Sequence, residues 1–396
     1  MRRLSWLLCL AMMLGGCSSL KFWGDDDASE ADVEAEVEAS KEPKELLDFV
    51  ETVRIRKLWR SSAGKGQDAP LATLQPGLLD DHVYSADPKG RVTAFTIAKG
   101  KRAWRTDLNT VLTGGVGVAA DQVLVGSQDG DVYALDADTG EQLWRAELTG
   151  EILAPPTGDY NIVVVQTQDG KVHGLSADSG KLVWQYVAEV PVLTLRGTGA
   201  PTLAANAVIV GFANGKVVAL NALSGELQWE VRLVAGEGKT ELERMVDVNT
   251  PLVVGDLIYL TSYQGKVGAV SRGVGRELWT QKNSSYHAPG YGLGRLYVAD
   301  TNDKVYSFRA SGGQQLWLNE EFLRRKLTSP LAVGDHIAIA DREGYLHILS
   351  FEDGQVVGRV KVDGDGVSVP MVSNQDTFFV LDNSGDLTAY QLEVKD

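Results

Sequence analysis

Cysteine is nearly absent from this chain of 396 residues, which has only Cys9 and Cys17, both close to the N-terminus. A disulfide framework therefore cannot hold the fold together, and a packed apolar core must do so. Long apolar runs are also missing, since the longest one, residues 4–15, is too short to span a bilayer. The chain is expected to be globular, with a special role for its first residues.

Histidine is scarce as well, and the five histidines show no metal-ligand spacing on a shared face. They are His82, His173, His287, His336 and His347. His173 and His347 occupy the strand position that Tyr133 and Tyr306 occupy elsewhere, which favours a packing role. No Gly-x-Ser-x-Gly elbow, Walker loop or His-Glu-x-x-His motif is present. The sequence thus predicts no catalytic residue, no metal site and no cofactor other than the lipid discussed next.

The N-terminus has the layout of a secretory signal, because Arg2-Arg3 precedes the short apolar run. The run ends in Leu14-Gly15-Gly16-Cys17, which resembles a bacterial lipobox. This resemblance implies cleavage after residue 16 and a diacylglycerol on the thiol of Cys17. More than one acyl chain gives stable anchoring. Ser18 after the cysteine resembles the outer-membrane sorting signal of such lipoproteins.

The net charge of −15 is concentrated near the N-terminus. Residues 25–51 contain twelve acidic side chains against Lys41 and Lys44, which gives 2 − 12 = −10. Residues 17–51 are therefore predicted to be the lipidated cysteine followed by a solvated, flexible acidic linker, in which residues 42–49 could form a short helix. The remainder is mildly acidic without a basic stripe, so nucleic acid is not an expected partner.

From residue 52 onward the chain consists of a repeat whose copies are spaced by about 40 to 50 residues. Each copy has an opening glycine, alternating apolar residues, a second glycine in a turn and, four residues later, a tryptophan. The opening position is Gly90, Gly130, Gly170, Gly215, Gly265, Asp303, Gly344 and Gly385. The tryptophans are Trp104, Trp144, Trp184, Trp229, Trp279 and Trp317, and Gly358 stands in the seventh place. Period-two patterning with Asp-Gly and Asn-Gly turns predicts short antiparallel strands.

These features predict an all-β, eight-bladed β-propeller of four-stranded antiparallel blades over residues 52–396. A single blade cannot bury both faces, so the blades must stack radially with the tryptophans between them. The last copy lacks its outer strand, whereas residues 53–60 form an outer strand without a blade. The N-terminal strand that carries Trp59 is therefore predicted to pair with the C-terminal blade and close the ring.

Two links between blades are longer than the others, namely Trp184 to Pro201 and Trp229 to Pro251. The first contains an apolar stretch with Leu193, Leu195 and Arg196, and the second contains Asp247. Both links join an outer strand to the next inner strand, so both are expected on the same face of the ring.

An apolar cluster with charged residues at its edge is typical of a protein-binding surface, although the leucines could equally pack against the ring.

The segment from Ala134 to Trp144 resembles the tryptophan-docking repeat of quinoprotein dehydrogenases, which are eight-bladed propellers that bind pyrroloquinoline quinone. This resemblance makes an enzyme the alternative interpretation. Two features of that family, an adjacent cysteine pair and a calcium-binding set of acidic residues, are not found in this sequence. The resemblance therefore extends to the fold rather than to the catalytic residues.

Signal peptide, lipobox, acidic linker, tryptophan repeats and both long links together resemble the propeller lipoproteins of the bacterial outer-membrane β-barrel assembly (BAM) machinery. The resemblance covers essentially the whole chain. It implies a non-enzymatic scaffold at the periplasmic face of the outer membrane that docks on the POTRA domains of BamA, the barrel subunit. A further hypothesis is that exposed blade edges offer transient strand pairing to unfolded barrel clients. The implied BamA contacts are Leu193, Leu195, Arg196 and Asp247. Asn249 replaces an acidic residue that some relatives have two positions after Asp247.

Overall fold

The computed structural model describes residues 42–66, 73–195 and 199–395, and their regular structure is almost entirely β-strand. The signal segment, Cys17, most of the acidic linker and Arg196 lie outside the described residues. In the part of the chain that is described, no helix is long and apolar enough to cross a membrane.

The strands form eight antiparallel sheets, the blades, numbered here from the first blade that is continuous in sequence. Blades 1 and 2 consist of β3 (Gly77–Leu79), β4 (His82–Ala86), β5 (Arg91–Thr96) and β6 (Arg102–Asp107), then β7 (Leu112–Ala119), β8 (Gln122–Ser127), β9 (Asp131–Asp136) and β10 (Gln142–Glu147). Blades 3 and 4 consist of β11 (Thr157–Gly158), β12 (Ile162–Gln166), β13 (Lys171–Ser176) and β14 (Leu182–Val187), then β15 (Thr202–Ala204), β16 (Ala207–Gly211), β17 (Lys216–Asn221) and β18 (Leu227–Arg232).

Blades 5 and 6 consist of β20 (Leu252–Val254), β21 (Leu257–Tyr263), β22 (Lys266–Ser271) and β23 (Glu277–Lys282), then β24 (Gly290–Gly292), β25 (Arg295–Ala299), β26 (Val305–Arg309) and β27 (Gln315–Asn319). Blades 7 and 8 consist of β28 (Leu331–Val333), β29 (His336–Ala340), β30 (Tyr345–Ser350) and β31 (Val356–Lys361), then β32 (Val372–Asn374), β33 (Thr377–Leu381), β34 (Asp386–Val394) and β1 (Val53–Ser62). Two short strands are additional: β2 (Thr73–Leu74), which pairs with β7, and β19 (Asp247–Val248), which pairs with β21.

The ring is closed by the two ends of the chain, as the sequence predicts. Strand β1 pairs antiparallel with β34, from Val53 opposite Val394 to Ser62 opposite Asp386. It is therefore the outer strand of blade 8. The predicted eight-bladed, four-stranded propeller is confirmed, because the first strands of successive blades, such as β3 and β7 or β24 and β28, lie against one another.

Each of the seven repeat tryptophans links its blade to the next one. Every indole nitrogen donates a hydrogen bond of 2.7–3.0 Å to a backbone oxygen of the following blade. In order from Trp59 to Trp317, the acceptors are Ile97, Ala137, Ala177, Ala222, Arg272, Ala310 and Phe351. These bonds join every blade except blade 7 to the next blade around the ring.

The second glycine of each repeat makes this contact possible. A Cβ on Gly140 would lie 2.5 Å from Cε3 of Trp104, and Gly140 itself has a φ of +73°. The preceding turn is held by Asp136, whose Oδ1 accepts a 2.8 Å hydrogen bond from the backbone nitrogen of Thr139. Turn and tryptophan thus form one unit, in which the aspartate shapes the turn and the glycine leaves room for the ring.

The segment before β1 differs from the expectation. Residues 42–49 form neither helix nor strand, and Leu46 and Phe49 pack against the apolar cluster between blades 6 and 7. The predicted helix is wrong, because its apolar residues are used for packing on the ring rather than on a helix face. The predicted linker boundary at residue 51 is also too late, since Lys44 already donates a hydrogen bond to the ring.

Candidate functional site

The two long links, residues 188–200 and 233–250, begin on the same face of the ring. The backbone nitrogen of Ala188 donates to the oxygen of Gly170 at 2.9 Å, and that of Leu233 donates to Gly215 at 2.9 Å. Both glycines belong to the turns between the second and third strands of their blades. The face that carries these turns and the links between blades is called the insertion face below, and the two links are called the first and second insertion.

The second insertion contains the helix α1 (Glu241–Arg244), which has a capping box. The hydroxyl of Thr240 accepts from the backbone nitrogen of Glu243 at 3.2 Å, and the Glu243 carboxylate accepts from the nitrogens of Thr240 and Lys239 at 3.2 and 2.6 Å. These bonds satisfy the first amides of the helix. Leu242 is left 61% exposed at the tip of the insertion.

The two insertions meet where they return to the ring. The backbone nitrogen of Ala200 donates to the Thr250 hydroxyl at 2.8 Å, and the Thr202 hydroxyl donates to the oxygen of Pro251 at 2.7 Å. A Cβ on Gly199 would lie 2.6 Å from the backbone of Asn249, so only glycine permits this approach. The described ends of the two insertions are therefore joined where they enter blades 4 and 5.

The first insertion exposes apolar side chains. Val192 is 98% exposed and Leu193 is 41% exposed. Leu195 is half-buried, and it lines a small cavity together with Val190 and Phe212. Of the two predicted apolar contacts, Leu193 is thus available at the surface, whereas Leu195 is partly packed against the ring. Arg196, the third predicted contact of this insertion, lies outside the described residues.

Asp247, the predicted contact of the second insertion, is buried. Only 3% of the residue is exposed, because it lies in β19, paired with Tyr263 of β21. Its Oδ2 has no hydrogen-bond partner among the described residues. Burial raises the pKa of this carboxyl well above its ordinary value, and a hydrogen bond from the backbone of Val248 only partly opposes the shift. In this conformation the carboxylate is not at the surface.

Asn249 has a clear structural role. Its amide nitrogen donates to the Thr261 hydroxyl at 3.0 Å, to the oxygen of Ser285 at 2.9 Å and to the oxygen of His287 at 3.1 Å. A carboxylate could accept but not donate, so an aspartate would lose the bonds to the backbone oxygens of Ser285 and His287. Asn249 therefore fastens the base of the second insertion to the link between blades 5 and 6.

The histidines of the repeat are packing residues, as expected for His173 and His347, which are both buried. Burial lowers the pKa of His287 to about 4, although a backbone hydrogen bond at Leu327 opposes the shift. Within the described ranges, no three histidine, cysteine or acidic side chains form a group that could hold a metal ion.

Sequence reasoning missed two exposed residues of the insertions, Val192 and Leu242. The signal for Leu242 was present in the sequence, because Thr240 and Glu243 have the spacing of a capping box and so predict a helix that projects the residue between them. Val192 has no such signal. Its exposure depends on how the link packs against Phe212, which the local sequence does not reveal.

An eight-bladed ring with tryptophan-docked blades and two enlarged links on one face defines the chain as a propeller of the pyrroloquinoline-quinone type. A family model described as outer membrane protein assembly factor BamB matches residues 88–319 and 301–396. The chain belongs to this BamB family.

Individual relatives agree with this assignment. The chain is 44% identical to the outer membrane protein assembly factor BamB of Pseudomonas aeruginosa over 389 residues, which covers 98% of both chains. Its structure resembles the crystal structure of BamB from Moraxella catarrhalis with a TM-score of 0.79 and 29% identity, over 85% of this chain and 99% of that one.

The dehydrogenase likeness is confined to the fold. The quinohemoprotein alcohol dehydrogenase of Comamonas testosteroni matches with a TM-score of 0.66 over 85% of this chain and 76% of its own, but at 12% identity. This likeness shows a shared propeller architecture, and it says nothing of shared catalysis.

Proposed function

We propose that this chain is a non-enzymatic scaffold of the outer-membrane β-barrel assembly complex, which docks on the POTRA domains of BamA through its insertion face. The names of its relatives describe an outer membrane assembly factor. The observation that carries the docking site is the joined surface of the two insertions, where Val192 and Leu193 present apolar area to solvent.

The anchoring part of the proposal rests on Cys17. A thioether-linked diacylglycerol and an amide-linked acyl chain on this residue would hold the ring at the periplasmic face of the outer membrane. Mass spectrometry of the N-terminal peptide tests this directly. A mass that corresponds to an unmodified residue 17, or to a chain that retains residues 1–16, would refute it.

Docking is tested by measuring the affinity of the chain for the BamA POTRA domains. The variant Val192→Ser/Leu193→Ser removes the exposed apolar contacts, and we expect the affinity to fall by about tenfold or more. A matched control is Leu223→Ser/Val274→Ser, because these residues are 58% and 70% exposed and lie in turns on the opposite face. Equal affinity of both folded variants would move the docking surface elsewhere.

Asp247 contributes to docking through the second insertion in this proposal. Because its carboxyl is buried beside β21, it acts on the conformation of residues 245–250 rather than as an exposed contact. An Asp247→Asn variant keeps the acceptor oxygen and is expected to dock as the parent chain does. A direct charge contact predicts instead a large loss of affinity that diminishes at high salt.

We also propose that strand β14 offers its free edge to extended segments of barrel clients. Most outer strands carry charged side chains, which discourage edge pairing, but β14 and β27 have none. Of these two, β14 exposes three apolar residues, Leu182, Val183 and Val187, by 54–60%. A photo-crosslinker at Val187 should therefore capture nascent barrels. The same probe at Glu147, the equivalent position of β10, is the control. Crosslinks from Val187 to BamA alone would contradict the proposal.

The enzymatic alternative has a direct test. Purified chain incubated with pyrroloquinoline quinone, calcium and an artificial electron acceptor should oxidise no alcohol or aldose above the rate without protein. Turnover that requires both the quinone and calcium would restore the dehydrogenase interpretation.

A further inference from the structure

Residues 43–51, named here the N-terminal strap, lie in a groove on the rim of blade 7. The backbone nitrogen of Lys44 donates to the oxygen of Leu323 at 3.0 Å, and its ammonium donates to the oxygen of Glu320 at 3.0 Å. At the other end of the strap, Thr52 donates to the oxygen of Val357 at 3.0 Å. The chain is thus fixed at the start of the strap by the link between blades 6 and 7, and just after its end by blade 7.

Two arginines hold the middle of the strap. Arg325 Nη1 donates to the oxygen of Lys44 at 2.9 Å, and Arg359 Nη1 donates to the oxygen of Leu47 at 2.9 Å. The guanidinium of Arg359 also lies over the ring of Phe49, 4.8 Å from its centroid. Charged donors to carbonyl oxygens make strong hydrogen bonds, so the strap is bound through its backbone as well as through its side chains.

Both arginines are oriented by one buried pair. Arg325 Nε lies 2.6 Å from Asp341 Oδ2, and His347 Nε2 lies 3.0 Å from the same oxygen. His347 Nδ1 in turn accepts from Arg359 Nε at 3.1 Å. Asp341 and His347 are completely buried, so their position is set by the blade itself.

The strap presents alternate sides to the ring and to solvent. Leu46 and Phe49 pack against the cluster that contains Phe322, whereas Leu47 and Val50 are 52% and 81% exposed. We infer that Arg325 and Arg359 form a clasp for the chain's own N-terminal segment, and that this clasp fixes the point at which the N-terminal region leaves the ring.

The exit point has a functional consequence, which rests on the proposed lipid anchor. Leu323 belongs to the link between blades 6 and 7, so the chain leaves the ring on the insertion face, the face proposed to bind BamA. Opening the clasp would add the nine strap residues to the tether, up to about 30 Å of extended chain. The clasp thereby limits how far the docking surface can turn from the membrane.

Hydrogen–deuterium exchange on the chain from residue 17 onward, with Cys17→Ser, tests the clasp without lipid or partner. In Leu46→Ser/Phe49→Ser, exchange of the Lys44 amide should accelerate by about tenfold or more, while the amides of β30 stay protected. The control Leu47→Ser/Val50→Ser changes the exposed side of the same segment and should exchange as the parent does. Arg359→Lys keeps the positive charge but cannot donate to His347 and to the Leu47 oxygen from two separate nitrogens. Its Lys44 amide should therefore exchange as fast as in Leu46→Ser/Phe49→Ser.

Equal exchange of the Lys44 amide in the parent and in Leu46→Ser/Phe49→Ser would overturn the inference, as would equal acceleration in the control. Since neither lipid nor BamA is present, this result is independent of the tests of anchoring and docking. A chain that fails to dock but keeps its Lys44 amide protected would refute the proposed function and leave the clasp intact.

Discussion

Gly358 of blade 7 lies against Val53, the first residue of β1, so closely that a Cβ on the glycine would be 2.6 Å from the Val53 oxygen. In seven other blades this position holds a tryptophan that docks on the turn of the next blade. Blade 8 has no such turn, because its outer strand comes from the other end of the chain. The exception in the repeat is thus a direct result of ring closure.

This contact predicts that Gly358→Ala destabilises the ring by about 1–3 kcal/mol, since backbone must move to admit the methyl group. Gly273→Ala is the control, because no heavy atom lies within 4 Å of the Cβ that it adds. Urea unfolding followed by tryptophan fluorescence measures both. Equal midpoints for the two variants would show that the closing seam tolerates a side chain.

Trp184 provides the test of docking between blades. It is 8% exposed, and its indole nitrogen donates to the oxygen of Ala222 at 2.9 Å. Trp184→Ala is expected to cost about 3–5 kcal/mol through the cavity that it leaves. Trp184→Phe keeps part of the packing but leaves the oxygen unpaired, so a smaller loss of about 1–3 kcal/mol is expected. A thermal melt of Trp184→Ala that matches the parent would contradict this role.

The fold was predictable because its determinants are local and repeated. Asp136, Thr139 and Gly140 shape a turn within five residues, and Trp144 follows at a constant spacing. Eight copies of one pattern leave little choice of architecture. Even the closing strand could be inferred, since a missing outer strand and an unassigned one lie at opposite ends of the chain.

The strap and the buried carboxyl could not be predicted in this way, because their partners are distant in sequence. Arg325 and Arg359 contact the strap from 281 and 312 residues away. An acidic composition predicts a solvated segment, but it does not reveal that Leu46 and Phe49 pack against the ring. Likewise, Asp247 looks like a surface residue of a charged loop until β19 pairs with β21 and buries it.

Asp247 makes a prediction about pH. Because burial raises its pKa in the folded chain, the folded state binds the proton more tightly than the unfolded state, whose carboxyl has a pKa near 3.9. Below about pH 3.9 the carboxyl is protonated in both states and does not change the free energy of unfolding. As the pH rises from there toward the folded-state pKa, the free energy of unfolding falls. Asp247→Asn should raise the free energy of unfolding at neutral pH and have little effect at the acidic end.

The measurement is the difference in unfolding free energy between Asp247→Asn and the parent chain across the pH range. Asp138→Asn, in an exposed turn, serves as the control. A destabilising effect of Asp247→Asn at neutral pH would mean that the ionised carboxylate has a stabilising partner in the folded chain, and it would contradict the predicted cost of its burial.

The ion pair of Arg325 and Asp341 predicts strong coupling between its members. Their side chains are 6% and 0% exposed, so Arg325→Met leaves a buried carboxylate without its guanidinium and is expected to cost about 3–5 kcal/mol. In the double variant Arg325→Met/Asp341→Asn the loss should be clearly smaller than the sum of the single losses, because neither charge is then stranded. The control cycle uses Arg272→Met and Asp256→Asn, a pair 3.2 Å apart whose side chains are 35% and 96% exposed, where the coupling should stay below about 1 kcal/mol. If the two cycles give the same coupling, the clasp is held by the shape of blade 7 rather than by its buried charges.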